Sequence, residues 1–475
     1  MSLTKTIAHN TSIQLVGKTV STLLGIIAVM IMTRSLGLEK FGWYAMAVGY
    51  LQFVGILSDF GFTVTTANML AEPQFDKPKL LNVLFTWRFI TALIFQGLAP
   101  LVFLFFPYPT PVKIAVAITA VSFFVQALNQ IFTAYYQVQL KTVITITGEV
   151  LGRLALVGGV ALIAYYHAGF LPVMITITIA AIISTIYMWS KITGLRFSLD
   201  KIISKAIYTK IWPNAVAVIF NSFYLQGDRV ILPLFVSATD VGLYSAAYRV
   251  LDIVVQMAAM IMGIMMPLIT YAWSRNLKTE FKIHYQTALN LTALILLPVL
   301  AGMIILANPI MLLVGGADFV SAGKILIVLS SAILGICFGM VFGHTALGIG
   351  RQRQALWIYG IDAVLSIIGY FIFIPRYGIY GAGGVTIFSE LFAGIMLALL
   401  VRHYSATKLK FFTFGKIIFA SAIMAGLVYL FQPLSLIWSV LIGAIIYSAL
   451  VLILKIISWN TIKEIFAKNK LSTAL

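Results

Sequence analysis

A single cysteine, Cys337, is all the thiol chemistry in this chain of 475 residues. That excludes an intramolecular disulfide and a thiolate metal cluster, and leaves Cys337 as a small core residue. Charge is also scarce: 10% of the residues are Asp, Glu, Lys or Arg, and only 14 are acidic. A soluble core wrapped in a charged surface cannot be built from that composition. The five histidines, His9, His167, His284, His344 and His403, show no metal-ligand spacing, and His344 reads as an interior histidine. Catalytic constellations are missing too. "VGKT" at 16–19 mimics the end of a phosphate-binding loop, but Ser12 stands where the upstream glycine should be and the segment is apolar.

What the chain has instead is 61% hydrophobic residues and a mean hydropathy of +1.02. A hydrocarbon core about 30 Å thick takes roughly 20 apolar residues per helix. Runs of that kind recur near 11–33, 41–61, 83–106, 113–134, 144–166, 170–190, 211–236, 241–271, 287–307, 324–348, 355–374, 379–402, 414–431 and 435–458. They predict an all-α membrane protein with about 14 transmembrane helices. Indole prefers the headgroup level of a bilayer, and all eight tryptophans fall within a few residues of a proposed span end. The first apolar segment is interrupted by Lys18 and lacks a small-residue cleavage site, so it does not read as a removable signal peptide.

A net charge of +18 raises the question of nucleic acid, and the placement of the 32 basic residues answers it. Arg34, Lys40, Lys113, Lys324 and Arg376 lie in loops opposite the N-terminus, Lys18, Arg88, Arg153, Arg229 and Arg249 lie within spans, and the other 22 sit on the N-terminal side. The positive-inside rule then puts both termini in the cytoplasm. Basicity is topology, and no nucleic-acid partner is expected.

The basic stretch "KITGLRFSLDKIISKAIYTK" at 191–210 divides the spans near their middle and reads as a connector, either an amphipathic helix on anionic lipid or a solvated loop. On either side of it the chain resembles itself: "FGWYAMA" at 41–47 matches "VGLYSAA" at 241–247, and Asn10 and Asn214 each open a first span. That pattern suggests two related bundles, with divisions at 1–205, 206–403 and 404–475. Gly335, Gly339 and Gly343 form a small-residue stripe that lets a neighbouring backbone approach.

Polar residues that recur on one helical face indicate a protein interior or a watery cavity. Asn10, Gln14 and Lys18 form one such stripe, Gln126, Gln130, Thr133 and Gln137 a second, Asn214, Asn221 and Asp228 a third, and Arg249, Asp252 and Gln256 a fourth. Interhelical hydrogen bonding is the plain reading of any single Asn or Gln. Charges ask for more, since a guanidinium near the bilayer centre costs about 2.5 to 3.5 kcal/mol. Arg88 and Lys18 lie near enough to the cytoplasmic end to snorkel, and Asp59 marks the end of its span. Arg153 follows Glu149 by one turn, a spacing that favours an intrahelical ion pair. Arg249 is placed to pair with Asp252. Arg229 and Arg249 are the strongest candidates to meet an anionic ligand, with Asp228 and Arg229 turned toward a shared wet passage. The deeper acids Glu149, Asp228, Asp252, Asp362 and Glu390 are candidate proton or cation sites.

Taken in order, "TRSLGLEKFGWYAM" at 33–46, "SDFGF" at 58–62, "GDRVIL" at 227–232, "VGLYSAAYR" at 241–249 and "YGIYGAGGVTIFSE" at 377–390 resemble the Wzx-type polysaccharide-repeat-unit flippases of the multidrug/oligosaccharidyl-lipid/polysaccharide exporter superfamily. The resemblance implies a MATE-like fold of two pseudo-symmetric six-helix lobes plus a C-terminal helix pair, set in a bacterial inner membrane around a cationic cavity. It implies no cofactor, and a substrate that is an undecaprenyl-pyrophosphate-linked oligosaccharide, moved to the periplasmic leaflet by alternating access for O-antigen, capsule or exopolysaccharide synthesis. A glycan polymerase and a chain-length regulator are the implied partners. The cavity role falls on Lys18, Arg153, Arg229 and Arg249, supported by Asp228, Asp252 and Glu390.

Two rivals stay open. A cation-coupled multidrug antiporter of the same superfamily calls for an acidic site, against the basic excess within the spans. A membrane-embedded glycan polymerase or glycosyltransferase calls for a sizeable outer loop, and the outer loops here are short.

Overall fold

The computed structural model describes residues 3–72, 74–430 and 435–456. The side chains of 3–12, 15, 64, 213, 214 and 216–225 also lie outside the described residues, and with them His9, Asn10, Ser12, Asn214 and Asn221 of the expectations above, as do Trp459 and the basic residues beyond it. The chain divides into two compact units, Met1–Ser245 with Val314–Asp318, and Ala246–Leu313 with Phe319–Leu475.

The first unit holds α1 (Leu3–Asp59), α2 (Phe62–Ala71), α3 (Lys77–Phe103), α4 (Thr110–Val138), α5 (Thr142–Tyr165), α6 (Phe170–Ser190) and α7 (Lys201–Ile231). The boundary at Ser245 falls within α8 (Ala238–Ser274). The second unit continues through α9 (Lys278–Ile305), all but the last two residues of α10 (Ala307–Gly315), α11 (Ala322–Ser331), α12 (Ile333–Gly348), α13 (Gln352–Ser405), α14 (Phe412–Leu430) and α15 (Leu436–Ile453).

Among the described residues, 11 helices are long and apolar enough to cross a membrane. Two of them, α1 and α13, carry two expected spans each, because Gly37 (φ 70) and Gly378 (φ 57) interrupt them. Both glycines occupy backbone that an L side chain rarely adopts, so the chain turns there. After Gly378 the second half of α13 lies back on the first: Tyr370 meets Thr386 at 3.4 Å and Ser389 meets Asp362 at 2.9 Å. The expected span at 211–236 falls on α7, which reaches Ile231 and gives way to a short 3-10 turn, Leu232–Leu234.

The matching motifs at 41–47 and 241–247 are buried position for position in the same pattern. They also touch. A Cβ on Gly42 would overlap the carbonyl of Ala238 and stand 3.2 Å from the nitrogen of Gly242, while a Cβ on Gly242 would overlap the carbonyl of Leu38 and stand 3.3 Å from the nitrogen of Gly42. Each copy therefore meets the other through the same two positions, as a two-fold relation requires. The glycine stripe on α12 behaves as expected: a Cβ on Gly394 of α13 would stand 3.2 Å from the Gly335 carbonyl and 3.3 Å from the Gly339 nitrogen.

The connector departs from expectation. Helix begins only at Lys201, where the Asp200 carboxylate accepts the Ile202 and Ile203 N–H groups at 2.9 Å and caps α7. Residues 195–200 instead form an extended strap on α3. Asn82 Oδ1 accepts from the Arg196 N–H at 3.0 Å and Thr86 Oγ1 from the Ser198 N–H at 2.9 Å. Acceptors one helical turn apart match alternate N–H groups of an extended chain, which holds this stretch out of a helix. Phe197 adds its ring to Phe85 and Phe89, and Trp87 Nε1 donates to Ser204. The second unit repeats the device. Gln286 on α9 accepts from the Lys410 N–H at 2.7 Å and donates to its carbonyl at 3.0 Å, pinning the segment that follows α13.

Candidate functional site

Lys18 and Ser21 lie one turn apart on α1 and face Glu149 on α5. Lys18 Nζ reaches Glu149 Oε1 at 3.0 Å, and Ser21 Oγ donates to the same oxygen at 2.7 Å. The intrahelical pair expected between Glu149 and Arg153 does not form, because the carboxylate turns across to α1. Arg153 lies one turn further along, its Nη1 3.6 Å from where a Cβ of Gly25 would be. Its side chain is exposed, and among the described residues it makes no ion pair. Lys18 and Glu149 are themselves accessible, at 57% and 32% side-chain exposure. The structure thus brings Lys18, Glu149 and Arg153 together on one wall of the first unit.

Asp228 and Arg229 separate. Asp228 is buried, accepting from the Tyr244 hydroxyl at 2.7 Å on one oxygen and from the Arg229 N–H at 2.8 Å on the other. The expectation that both face a wet passage fails for the acid: the break after α7 brings Tyr244 over it. Arg229 stays half-buried. In the second unit Arg249 and Asp252 form the expected pair at 3.7 Å, both partly exposed. Asp362 is fully buried and accepts from Ser389 at 2.9 Å and Ser366 at 3.4 Å. Glu390 follows Ser389, and Tyr359 lies in the field of both acids.

Arg88 is the residue that the span count misplaces. It does not snorkel: it is 1% exposed and its guanidinium is held within the protein. Its guanidinium pairs with Asp59 at 3.2 Å, donates to the carbonyls of Ser58 at 2.7 Å and Ala127 at 3.2 Å, and reaches Gln130 Oε1. Asp59 does more than end a span. It accepts from the Gly61 N–H at 3.2 Å and the Thr63 hydroxyl at 2.7 Å, holding the break at Phe60 and Gly61 where α1 gives way to α2. The signal was present in the sequence: Asp59 and Arg88 stand near the same end of consecutive spans.

A multi-pass, all-α membrane protein with charged side chains grouped within its spans is what these helices define. The chain belongs to the polysaccharide biosynthesis protein family, whose family model matches residues 31–324. It is 22% identical to a probable low-salt glycan biosynthesis flippase of Haloferax volcanii, over 94% of each chain. Its fold is similar to that of the lipid II flippase MurJ in an inward closed conformation, with a TM-score of 0.78 at 16% identity, covering 96% of this chain and 99% of the other. It is also similar to an inward-facing multidrug resistance MATE family transporter of the MOP superfamily, with a TM-score of 0.67 at 16% identity, covering 81% of this chain and 94% of the other.

Proposed function

We propose that this protein is a flippase for lipid-linked oligosaccharides, carrying undecaprenyl-pyrophosphate-linked repeat units from the cytoplasmic to the outer leaflet of a bacterial inner membrane by alternating access. It acts as a transporter, not an enzyme, with both termini cytoplasmic. The observation that carries the reading is Arg153. A guanidinium left exposed on a spanning helix beside an already neutralised Glu149 is costly against acyl chains, so this wall suits water and an anion. The full-length likeness to a protein named a glycan biosynthesis flippase supports the same substrate class.

In this reading Lys18, Arg153, Arg229 and Arg249 engage the diphosphate and acidic sugars, the planar fork of Arg giving paired hydrogen bonds to phosphate oxygens. The lipid tail stays in the bilayer. An inside-negative potential favours outward movement of the anion by about 2.3 kcal/mol per charge per 100 mV. Asp228, Asp252, Glu390, Glu149 and Asp362 are the groups through which a proton or cation would couple. A polymerase and a chain-length regulator would take the product.

Deleting the gene should trap the lipid-linked repeat unit in the cytoplasmic leaflet, and leave drug accumulation unchanged. Arg229→Ala and Arg249→Ala should insert normally yet fail to restore polymer in a complementation assay. Wild-type export by both would remove them from the mechanism, and a drug phenotype without a trapped glycan would favour the antiporter.

A further inference from the structure

Two cations and one anion stand within two turns on the α1–α5 wall, and their arrangement is lopsided. Glu149 Oε1 takes both Lys18 at 3.0 Å and Ser21 at 2.7 Å, while Arg153 has no ion-pair partner among the described residues. Ser21 is buried at 2% exposure, so its hydroxyl is a fixed anchor for the carboxylate. Lys18 is the accessible member, a long side chain more than half exposed.

We propose that Glu149 is an internal stand-in for the diphosphate of the substrate. Resting on the flippase reading above, the unliganded protein keeps Lys18 occupied with its own carboxylate. An arriving diphosphate draws the Lys18 ammonium away from Glu149 and engages the Arg153 fork one turn along, and Glu149 stays on Ser21. A diphosphate diester carries two negative charges, which Lys18 and Arg153 match. The displaced Glu149 then stands beside the ligand as an unneutralised like charge. Its role is to weaken binding: a transporter must hold its cargo firmly enough to load it and loosely enough to release it, and a built-in competitor limits residence. A carboxylate that served only to position Lys18 would instead strengthen binding.

The two roles predict opposite signs. In full-length protein in lipid nanodiscs, titrated with inorganic pyrophosphate in a buffer free of divalent cations, Glu149→Gln should bind about 3- to 10-fold tighter than wild type. Lys18→Gln and Arg153→Gln should bind about 10-fold weaker. In the Lys18→Gln background Glu149→Gln should give less than half of its gain, since the competition acts through the ammonium. In proteoliposomes Glu149→Gln should move lipid-linked glycan more slowly despite the tighter binding. Monodisperse elution of each variant guards against misfolding. Weaker or unchanged binding by Glu149→Gln, where wild type binds, overturns the stand-in alone. No pyrophosphate binding by wild type overturns the diphosphate reading of this wall and the stand-in with it.

Discussion

The two copies of the Gly-aromatic motif begin alike and diverge in where they place an acid. In the second copy Tyr244 donates to Asp228, 16 residues upstream. Counting the same 16 back from Tyr44 reaches Ala28. In the first copy the helix stops at Asp59, sealed under Arg88, and the residue 200 positions later is Ala259, inside an α8 that runs unbroken to Ser274. Each copy thus carries a carboxylate held by the protein where the other has alanine. The shared positions make the scaffold, and the unshared ones break its symmetry with charge.

The largest effect should come from the asymmetric end of the first copy. Removing one partner of a buried, hydrogen-bonded ion pair leaves an uncompensated charge and costs about 3–5 kcal/mol. Arg88→Ala and Asp59→Ala should each lower thermal stability in detergent by that order and lose export. A double change to apolar residues should recover part of the stability but not the bend at Phe60 and Gly61. If Arg88→Ala unfolds no earlier than wild type, the sealed pair is not what ends the first copy.

Next in size is the symmetric part. Gly42→Ala and Gly242→Ala each push a methyl into a backbone carbonyl of the other copy, and overpacking of this kind costs about 1–3 kcal/mol. Both should lose stability, Gly42→Ala at least as much as Gly242→Ala, and Gly97→Ala, with open space at its Cβ, should be near neutral. A large loss at one glycine and none at the other would break the two-fold relation.

Tyr244→Phe tests the asymmetry of the second copy. It leaves Asp228 Oδ2 buried without its hydroxyl donor, at a cost of about 1–2 kcal/mol. Melting temperature should fall modestly, and export should fall further if Arg229 depends on the fixed position of its neighbour.

Much of this was legible in the sequence, for physical reasons. Bilayer thickness fixes span length, so the all-α membrane class and the order of the spans followed from hydropathy, and the small residues at 335, 339 and 343 announced a close helix contact. Pairing across helices was harder. Glu149 prefers Lys18 to Arg153 although Arg153 is four residues away, because helical spacing says which groups can meet and the neighbouring helix decides which do. Span depth also misled at Arg88, where nearness to an interface reads as snorkelling only if no buried acid stands level with it. The straps were invisible because their hydrogen-bond acceptors lie more than 100 residues away.

Those straps give the smallest predicted effect and the sharpest comparison of the two units. Thr86 and Gln286, 200 positions apart, pin the non-helical segments at 195–200 and 406–411. Only the first strap ends in an acid: Asp200 meets Lys79 at 2.6 Å, whereas residues 406–411 contain no carboxylate. The hydrogen bond from Lys79, with the N–H groups of Ile203 and Ile202, holds the Asp200 carboxyl below its ordinary value of 3.8. A lowered folded pKa means that the stabilisation is complete above 3.8 and drains away as pH falls through the lower, folded value. Amide protection at Arg196 and Ser198, corrected for intrinsic exchange rates, should therefore be flat from neutral pH down to about 4 and decline below it. Protection at Lys410 should show no such decline, and Asp200→Asn should remove it from the first strap while costing little at neutral pH, as an exposed ion pair does. Parallel declines in both straps would mean that acid loosens the bundles generally, and that Asp200 does not set the difference between them.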